Sequence, residues 1–183
     1  MKEISLFILD IAGNSIRANA SHIVLHLQEN DTQLSFSITD DGCGMDADFL
    51  AKVTDPFSTT RTTRKVGLGI PFLKMQAELT GGSFSITSKS EKEFPEEHGT
   101  TTYASFMKGS IDYVPLGDIV ETVCTLIHGM GSMDLEFTHV IGEREVTLNT
   151  AELRQILGED VPLSEPEVMN WICQYLLEAY SED

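Results

Sequence analysis

The stretch "LDIAGNSIRANA", residues 9–20, combines an apolar helical pattern with polar side chains at regular spacing. Asp10, Asn14 and Arg17 follow one another at intervals of four and three, so they lie on one side of a helix. Apolar residues recur at the same spacings and form the opposite face: Ile4, Phe7, Ile8, Ile11 and Ala12. A polar stripe is either a solvated surface or the wall of a ligand site, and taken alone it favours the solvated surface.

The composition indicates a globular chain. Its 183 residues with 41% apolar content are enough to bury a sizeable core. The apolar runs are short, and the N-terminus carries Glu3 and Asp10 instead of a basic region before an apolar block, so we expect no signal peptide and no membrane span. The three cysteines, at positions 43, 124 and 173, are too few and too scattered for a disulfide framework or a zinc cluster. A cytoplasmic location is therefore expected.

The charge is strongly negative and unevenly distributed. A formal net charge of −17 disfavours binding to nucleic acid or to an anionic membrane, because both need a basic face. Residues 1–111 hold 14 Asp and Glu against 10 Lys and Arg, whereas residues 112–183 hold 15 against 2. We therefore expect two parts, a domain over residues 1–110 and an acidic extension over residues 111–183.

After the first helix the hydrophobic period changes from that of a helix to that of strands. "SHIVLHLQ" and "QLSFSITDDG" alternate around the turn "ENDT", which predicts an antiparallel hairpin. Then come a short helix over 47–53 capped by Asp46, a helix over 70–79, and two strands in "SFSITSKS" and "TTYASFMK". This order predicts an α+β fold, a two-layer sandwich with helices on one face of the sheet.

The extension has a pattern of its own. We expect a helix over 116–128, a hairpin made of "DLEFTHVI" and "REVTLN", a short helix from Ala151 capped by Thr150, and a last helix over 165–180. The last helix is strongly amphipathic, and it must bury its apolar face against the first domain, its own hairpin or a partner.

Three further motifs carry chemistry. "TDDGCGMD", residues 39–46, places Asp40 at a strand end, followed by Gly42 and Gly44, which let backbone approach a flat ligand closely. In "KVGLGI", residues 65–70, glycines precede a helix N-terminus that suits phosphate oxygens, with basic residues just upstream. "HGTTTYASF" opens the last strand of the sandwich at Gly99 and Thr100.

These elements, in this order, resemble the GHKL family of ATP-binding domains, named for gyrase, heat-shock chaperones, histidine kinases and MutL. The resemblance covers about residues 1–110 and implies the Bergerat-type ATP-binding fold. "NSIRANA" followed by "DDGCGMD" is similar to MutL and type-VI topoisomerase subunits. "DPFSTTRTTRKVGLGI" looks more like the lid of histidine kinases, whose Asp-Pro-Phe is Asp55, Pro56 and Phe57 here.

The resemblance also implies roles for individual residues. Asn14 would bind Mg²⁺, Asp40 would accept a hydrogen bond from the adenine amino group, and Thr100 would complete the adenine end through water. Gly42 and Gly44 would allow the ring to lie against backbone. The segment Gly67, Leu68 and Gly69 would close over the phosphates, and either Arg61 or Lys65 would neutralise the γ-phosphate. The loop over residues 54–68 would become ordered by the phosphates.

One position departs from the family. Where members that hydrolyse ATP carry a glutamate as general base, this chain has Asp10, and a displacement of about an ångström can cost roughly a hundredfold in rate. The leading hypothesis is a protein that uses Mg·ATP to phosphorylate or regulate a protein partner in trans. The alternatives are a slow MutL-like or topoisomerase-like ATPase that dimerises with ATP, and a non-catalytic ATP-binding interaction protein.

Overall fold

The computed structural model describes residues 2–55, 68–158 and 160–181. Within these ranges the structure has six helices and six strands. In chain order they are α1 (Ile4–Arg17), β1 (His22–Glu29), β2 (Gln33–Asp40), α2 (Ala47–Val53), α3 (Gly69–Leu79), β3 (Phe84–Lys89), β4 (Gly99–Met107), α4 (Ile119–Gly129), β5 (Asp134–Ile141), β6 (Arg144–Asn149), α5 (Thr150–Leu157) and α6 (Pro166–Ser181).

The strands form a six-stranded mixed sheet in the order β3-β4-β2-β1-β5-β6. β1 pairs antiparallel with β2 and parallel with β5, and the remaining neighbours are antiparallel. Along β1 and β2 every second residue is buried, because only one face of the sheet is covered by helices. The predicted α+β sandwich is confirmed.

α1 is the central helix of the covering layer. Its apolar face is buried as expected, and it packs against α3, α4 and β2. The opposite side carries the polar stripe, on which Asp10 and Asn14 are half-buried. The period of the sequence therefore places these polar groups at the border of the core, where they remain accessible.

The acidic extension continues the sheet instead of standing beside it. β5 pairs with β1 over the full length of both strands, and backbone N–H groups of Ile4 and Ser5 donate to the carbonyls of Pro115 and Leu116. α6 packs against α4 and β6. The core is therefore continuous across residue 110. The division of the chain into a domain over residues 1–110 and an extension over residues 111–183 remains a proposal.

Two details of the extension differ from the sequence predictions. The short helix α5 is capped by Asn149, whose side-chain oxygen accepts the N–H groups of Ala151 and Glu152. Thr150 does not cap it: its hydroxyl is buried and bonds to the Leu135 N–H and to Asp134. α4 begins at Ile119 rather than at residue 116, because the carboxylate of Asp118 accepts the Glu121 N–H and caps the helix there.

The structure also pairs two of the three cysteines. Cys124 of α4 and Cys173 of α6 form a disulfide, whereas Cys43 is free and exposed. This bond was not predicted, because 49 residues separate the two cysteines and only the packing of α6 on α4 brings them together. Among the helices described here, none has the length and apolarity needed to cross a membrane.

Candidate nucleotide-binding site

A cavity of about 450 Å³ opens between α1, the end of β2 and the start of β4. Four residues to which the resemblance gives a part in ATP binding line it together: Asn14, Asp40, Gly44 and Thr100. They come from three elements and one loop, so their meeting depends on the fold and not on local sequence. Apolar side chains such as Ile11, Val53, Ile70 and Ile86 line the same cavity. A mostly apolar cleft with a few convergent polar groups is the usual form of a small-molecule site.

The carboxylate of Asp40 is fixed at the end of β2 by two hydrogen bonds. The hydroxyl of Ser15 donates to Oδ2 at 2.5 Å, and the backbone N–H of Gly42 donates to Oδ1 at 2.9 Å. An ionised carboxylate offers about four acceptor positions, so these two bonds leave acceptor capacity for a ligand. Asp40 is thus oriented before any ligand arrives.

The glycine loop after β2 lies against neighbouring backbone. Gly44 has φ +63°, and a Cβ at this position would lie 1.9 Å from the carbonyl oxygen of Lys89. Only glycine therefore fits at Gly44, on grounds of both conformation and space. Gly42 is also tight, since a Cβ there would lie 2.7 Å from the Cβ of Ala18.

Asp41, next to Asp40, anchors the same loop to β1. Burial raises the pKa of Asp41, but hydrogen bonds from the Ser21 hydroxyl and from the N–H groups of His22 and Ser21 outweigh it and hold the pKa below its usual range. Asp41 does not line the cavity. The two adjacent carboxylates therefore have different roles, one holding the loop and one facing the cavity.

Thr100 belongs to a small hydroxyl network on the far side of the cavity. The Ser88 hydroxyl lies 2.8 Å from the Thr100 hydroxyl, accepts the Met45 N–H at 2.8 Å and donates to the Gly99 carbonyl at 3.0 Å. Because Ser88 has a single hydroxyl proton, its bond to Gly99 leaves Thr100 as the donor to Ser88. The lone pairs of Thr100 then remain for a ligand or a bridging water.

Asn14 is held by the third member of the polar stripe. The guanidinium of Arg17 donates to the side-chain oxygen of Asn14, the atom that a metal ion would need. In the described ranges there is no group of three or more His, Cys, Asp or Glu suited to a metal. The Asn14 oxygen is a ligand atom of the kind that Mg²⁺ prefers.

Asp10 lies beside the start of α3. A Cβ built on Gly69 would lie 1.5 Å from Oδ2 of Asp10, so the carboxylate rests directly against the first residue of this helix. A negative charge at a helix N-terminus is favourable. Asp10 and Gly69 are not among the residues that line the cavity, although Ile70 is.

The other predicted phosphate-binding residues are only partly described. Leu68 precedes α3 and is 45% exposed. Arg61, Lys65 and Gly67 lie outside the described residues, as do Pro56, Phe57 and most of the loop over 54–68. Their assignment to the phosphates remains a prediction.

Sequence reasoning missed the residues that support the site. Ser15 orients Asp40, Ser88 orients Thr100, and the ring nitrogen Nδ1 of His98 lies 2.6 Å from the Gly42 carbonyl oxygen. Ser15 could have been found from the sequence, because it lies one turn after the apolar Ile11 and therefore on the buried face of α1. Ser88 and His98 carried no such signal, since only the β3–β4 pairing and the following loop bring them to the glycine loop.

The mixed sheet with one helical layer, and the cavity between α1 and the glycine loop, define a two-layer α+β sandwich with a built ligand pocket. Residues 2–109 match the family model described as "Histidine kinase-, DNA gyrase B-, and HSP90-like ATPase". The chain therefore belongs to this family.

Individual relatives agree with this membership. Over 70 residues the chain is 37% identical to "Signal transduction histidine-protein kinase AtoS" of Escherichia coli (strain K12), a match that covers 38% of this chain and 11% of that protein. The Aquifex aeolicus MutL ATPase domain complexed with ADP has a similar fold, with a TM-score of 0.53, 13% identity, and coverage of 86% of this chain and 68% of that one.

The N-terminal domain of a DNA repair protein is similar as well, with a TM-score of 0.54, 12% identity, and coverage of 81% of this chain and 53% of that one. At these identities the two solved structures show the fold alone. The chain spans only about a tenth of AtoS and about half of the DNA repair domain.

Proposed function

We propose that the cavity binds ATP together with Mg²⁺, and that the protein uses it to phosphorylate or regulate a protein partner in trans. The observation that carries this proposal is the meeting of Asn14, Asp40, Gly44 and Thr100 around one cavity in a chain of this ATPase family. The 70-residue similarity to a histidine-protein kinase supports a kinase-like use of the site.

The residues fit the chemistry of an adenine nucleotide. Asp40 is an oriented acceptor for an exocyclic amino group, Thr100 offers a hydroxyl to water or base, and the loop at Gly44 presents backbone to the flat face of a ring. Asn14 would hold Mg²⁺, which supplies charge neutralisation of the phosphates. The side-chain oxygen of Asn14 has two lone pairs, so it can accept the Arg17 guanidinium and still offer a lone pair to a cation.

Asp10 is the candidate for orienting a water or an incoming hydroxyl. Its carboxylate lies on the same helical stripe as Asn14, one turn earlier, and is half-buried. It is one methylene shorter than glutamate and rests against Gly69, so its oxygen is displaced from the position that a glutamate would reach. We therefore expect ATP hydrolysis in water to be slow.

The extension and the charge point to protein partners. A net charge of −17 disfavours nucleic acid, and the acidic part lies in the same sheet as the proposed ATP site. A cytoplasmic location is part of the proposal, because ATP is the substrate. ATP-driven dimerisation, as in the alternative ATPase hypothesis, would use the same site.

The test follows the γ-phosphate of labelled ATP, alone and with candidate protein substrates, in wild type and in Asp10→Asn. Transfer to a protein supports the kinase, whereas phosphate release with ATP-dependent dimerisation supports the ATPase, and binding with neither supports an interaction protein. If Asp10 orients the nucleophile, Asp10→Asn lowers turnover about a hundredfold with ATP affinity unchanged. Equal turnover in both proteins would remove Asp10 from the mechanism.

A further inference from the structure

A second concave surface lies between α5, α6 and the last two strands in the sheet order, β5 and β6. This groove has a volume of about 380 Å³ and is separate from the ATP cavity, with which it shares no lining residue. Ile156 of α5 and the stacked rings of Trp171 and Tyr175 on α6 line it. We call it the β6 groove.

The β6 groove exposes large apolar side chains that the fold leaves uncovered. Ile156 is 80% exposed and Trp171 is 54% exposed, although Ile172 and Leu176 on the inner side of α6 are fully buried. Single exposed apolar residues are common, but an aromatic pair and an isoleucine that line one groove form a patch, and such patches mark interaction sites. The inner face of α6 thus serves the core, and the outer face is available to a partner.

The aromatic pair is held in place. The ring centroids of Trp171 and Tyr175 are 5.6 Å apart with an interplanar angle of 14°, and the Tyr175 hydroxyl donates to the Thr147 carbonyl of β6. Thr147 also lines the groove, and β6 is the last strand in the order of the sheet. The groove therefore has a rigid aromatic side and a strand edge, both suited to an extended or helical segment.

The charge around the groove selects the occupant. Glu136 and Glu152 line it, and residues 112–183 hold 15 acidic residues against two arginines. Both arginines are engaged within the chain: Arg154 binds Asp134 and the carbonyls of Gly131 and Met133, and Arg144 binds the Ala179 carbonyl. In the part of the chain that the structure describes, neither arginine pairs with Glu136 or Glu152, and Glu136 lies 3.2 Å from Nε2 of His22 on β1.

We infer that the β6 groove docks a basic amphipathic segment of a partner protein. Apolar side chains of the segment would pack on Ile156, and Arg or Lys side chains would lie over the rings of Trp171 and Tyr175, near Glu136 and Glu152. A second copy of the chain is a poor occupant, because two strongly acidic surfaces repel each other. The inference does not depend on ATP, so it stands or fails separately from the proposed function.

Trp171 is the only tryptophan of the chain, so its fluorescence reports on the groove directly. The probe is a synthetic 14-residue peptide of Leu and Arg in amphipathic order, without tryptophan, compared with the same peptide carrying Glu in place of Arg. We expect the basic peptide to change the Trp171 emission saturably and to bind more weakly as salt rises, and the acidic peptide to leave the emission unchanged.

Two variants and one matched control assign the binding to the groove. Glu152→Lys and Ile156→Ser change exposed side chains in the groove, and each should weaken peptide binding at least tenfold. Glu121→Lys is the control, since Glu121 has the same position in the first turn of α4, is exposed, and lies outside the groove. It should keep wild-type affinity.

Three results would overturn the inference. The first is equal binding of the basic and acidic peptides, and the second is equal weakening by Glu152→Lys and Glu121→Lys, which would indicate general charge attraction. The third is self-association of the protein, detected by sedimentation, that also changes the Trp171 emission and is abolished by Ile156→Ser. This result would make a second copy of the chain the occupant.

Discussion

Ser15 and Asp40 show how single residues of the core build the site. Ser15 is 2% exposed and would be unremarkable as a small residue on a buried helix, yet its hydroxyl holds one oxygen of Asp40. Ser21 and Asp41 form a second pair of the same kind outside the cavity. Substitutions in the two pairs can therefore distinguish the effect of orienting Asp40 from the effect of holding the loop in place.

Ser15→Ala is expected to weaken ATP binding about tenfold. The substitution removes the hydrogen bond from the Ser15 hydroxyl that orients the carboxylate of Asp40. Ser21→Ala is the control: it removes the corresponding bond to Asp41 and should leave ATP affinity within about twofold. Isothermal titration with ATP on both variants makes the comparison. Equal losses in the two variants would show that loop stability, and not orientation of Asp40, governs binding.

Gly69→Ala tests the contact between Asp10 and α3. The added methyl group would occupy the place of the Asp10 carboxylate, and overpacking of this kind costs about 1–3 kcal/mol. Asp10→Ala/Gly69→Ala should recover most of this loss, since the shorter side chain leaves room for the methyl group. Urea unfolding measures both variants, and a single variant as stable as wild type would contradict the described contact.

At the scale of elements, the hydrophobic periods predicted the helices and strands well. The strict alternation of apolar and polar residues predicted β1 and β2, because one face of each strand is buried and the other is not. The predicted start of α4 and the predicted cap of α5 were wrong, because Asp118 and Asn149 compete with their neighbours for the capping role. Such competition is settled by tertiary contacts, such as the burial of Thr150 against β5.

His139 on β5 links three elements in the core of the extension. It is 1% exposed; its Nδ1 lies 2.7 Å from the Tyr180 hydroxyl of α6, and its Nε2 lies 3.3 Å from a carboxylate oxygen of Glu29 on β1. Burial lowers the pKa of His139, while Glu29 opposes this and His26 and Lys108 add to it. The folded protein therefore favours the neutral imidazole.

A lowered pKa of His139 makes stability depend on pH. Below the ordinary histidine pKa of about 6.5 the unfolded chain binds a proton that the folded chain resists, so the free energy of unfolding falls as pH drops from 7.5 to 5.5. His139→Gln should show a smaller decrease over this range. Urea titrations at several pH values measure it, and identical pH profiles for the two proteins would refute the role assigned to His139.

At the scale of the whole molecule, the sequence predicted the content of the extension but not its place. The charge change near residue 111 marked a second part of the chain, but it did not indicate that β5 pairs in parallel with β1 and completes the sheet. Parallel pairing between strands more than a hundred residues apart leaves no local signal, and neither does the disulfide between Cys124 and Cys173. Asn14, Asp40 and Thr100, which line the cavity, could be picked out from local motifs, whereas the hydrogen bonds that hold them depend on tertiary contacts.

The central claim is that Asp40 and its neighbours form an ATP site, and calorimetric titration of ATP with and without Mg²⁺ tests it most directly. Wild type should bind ATP more tightly with Mg²⁺, and Asp40→Asn should bind at least tenfold more weakly. Asp41→Asn, in the adjacent carboxylate that holds the loop outside the cavity, should resemble wild type. If wild type binds no adenine nucleotide, or if the two variants behave alike, the assignment of the site is wrong.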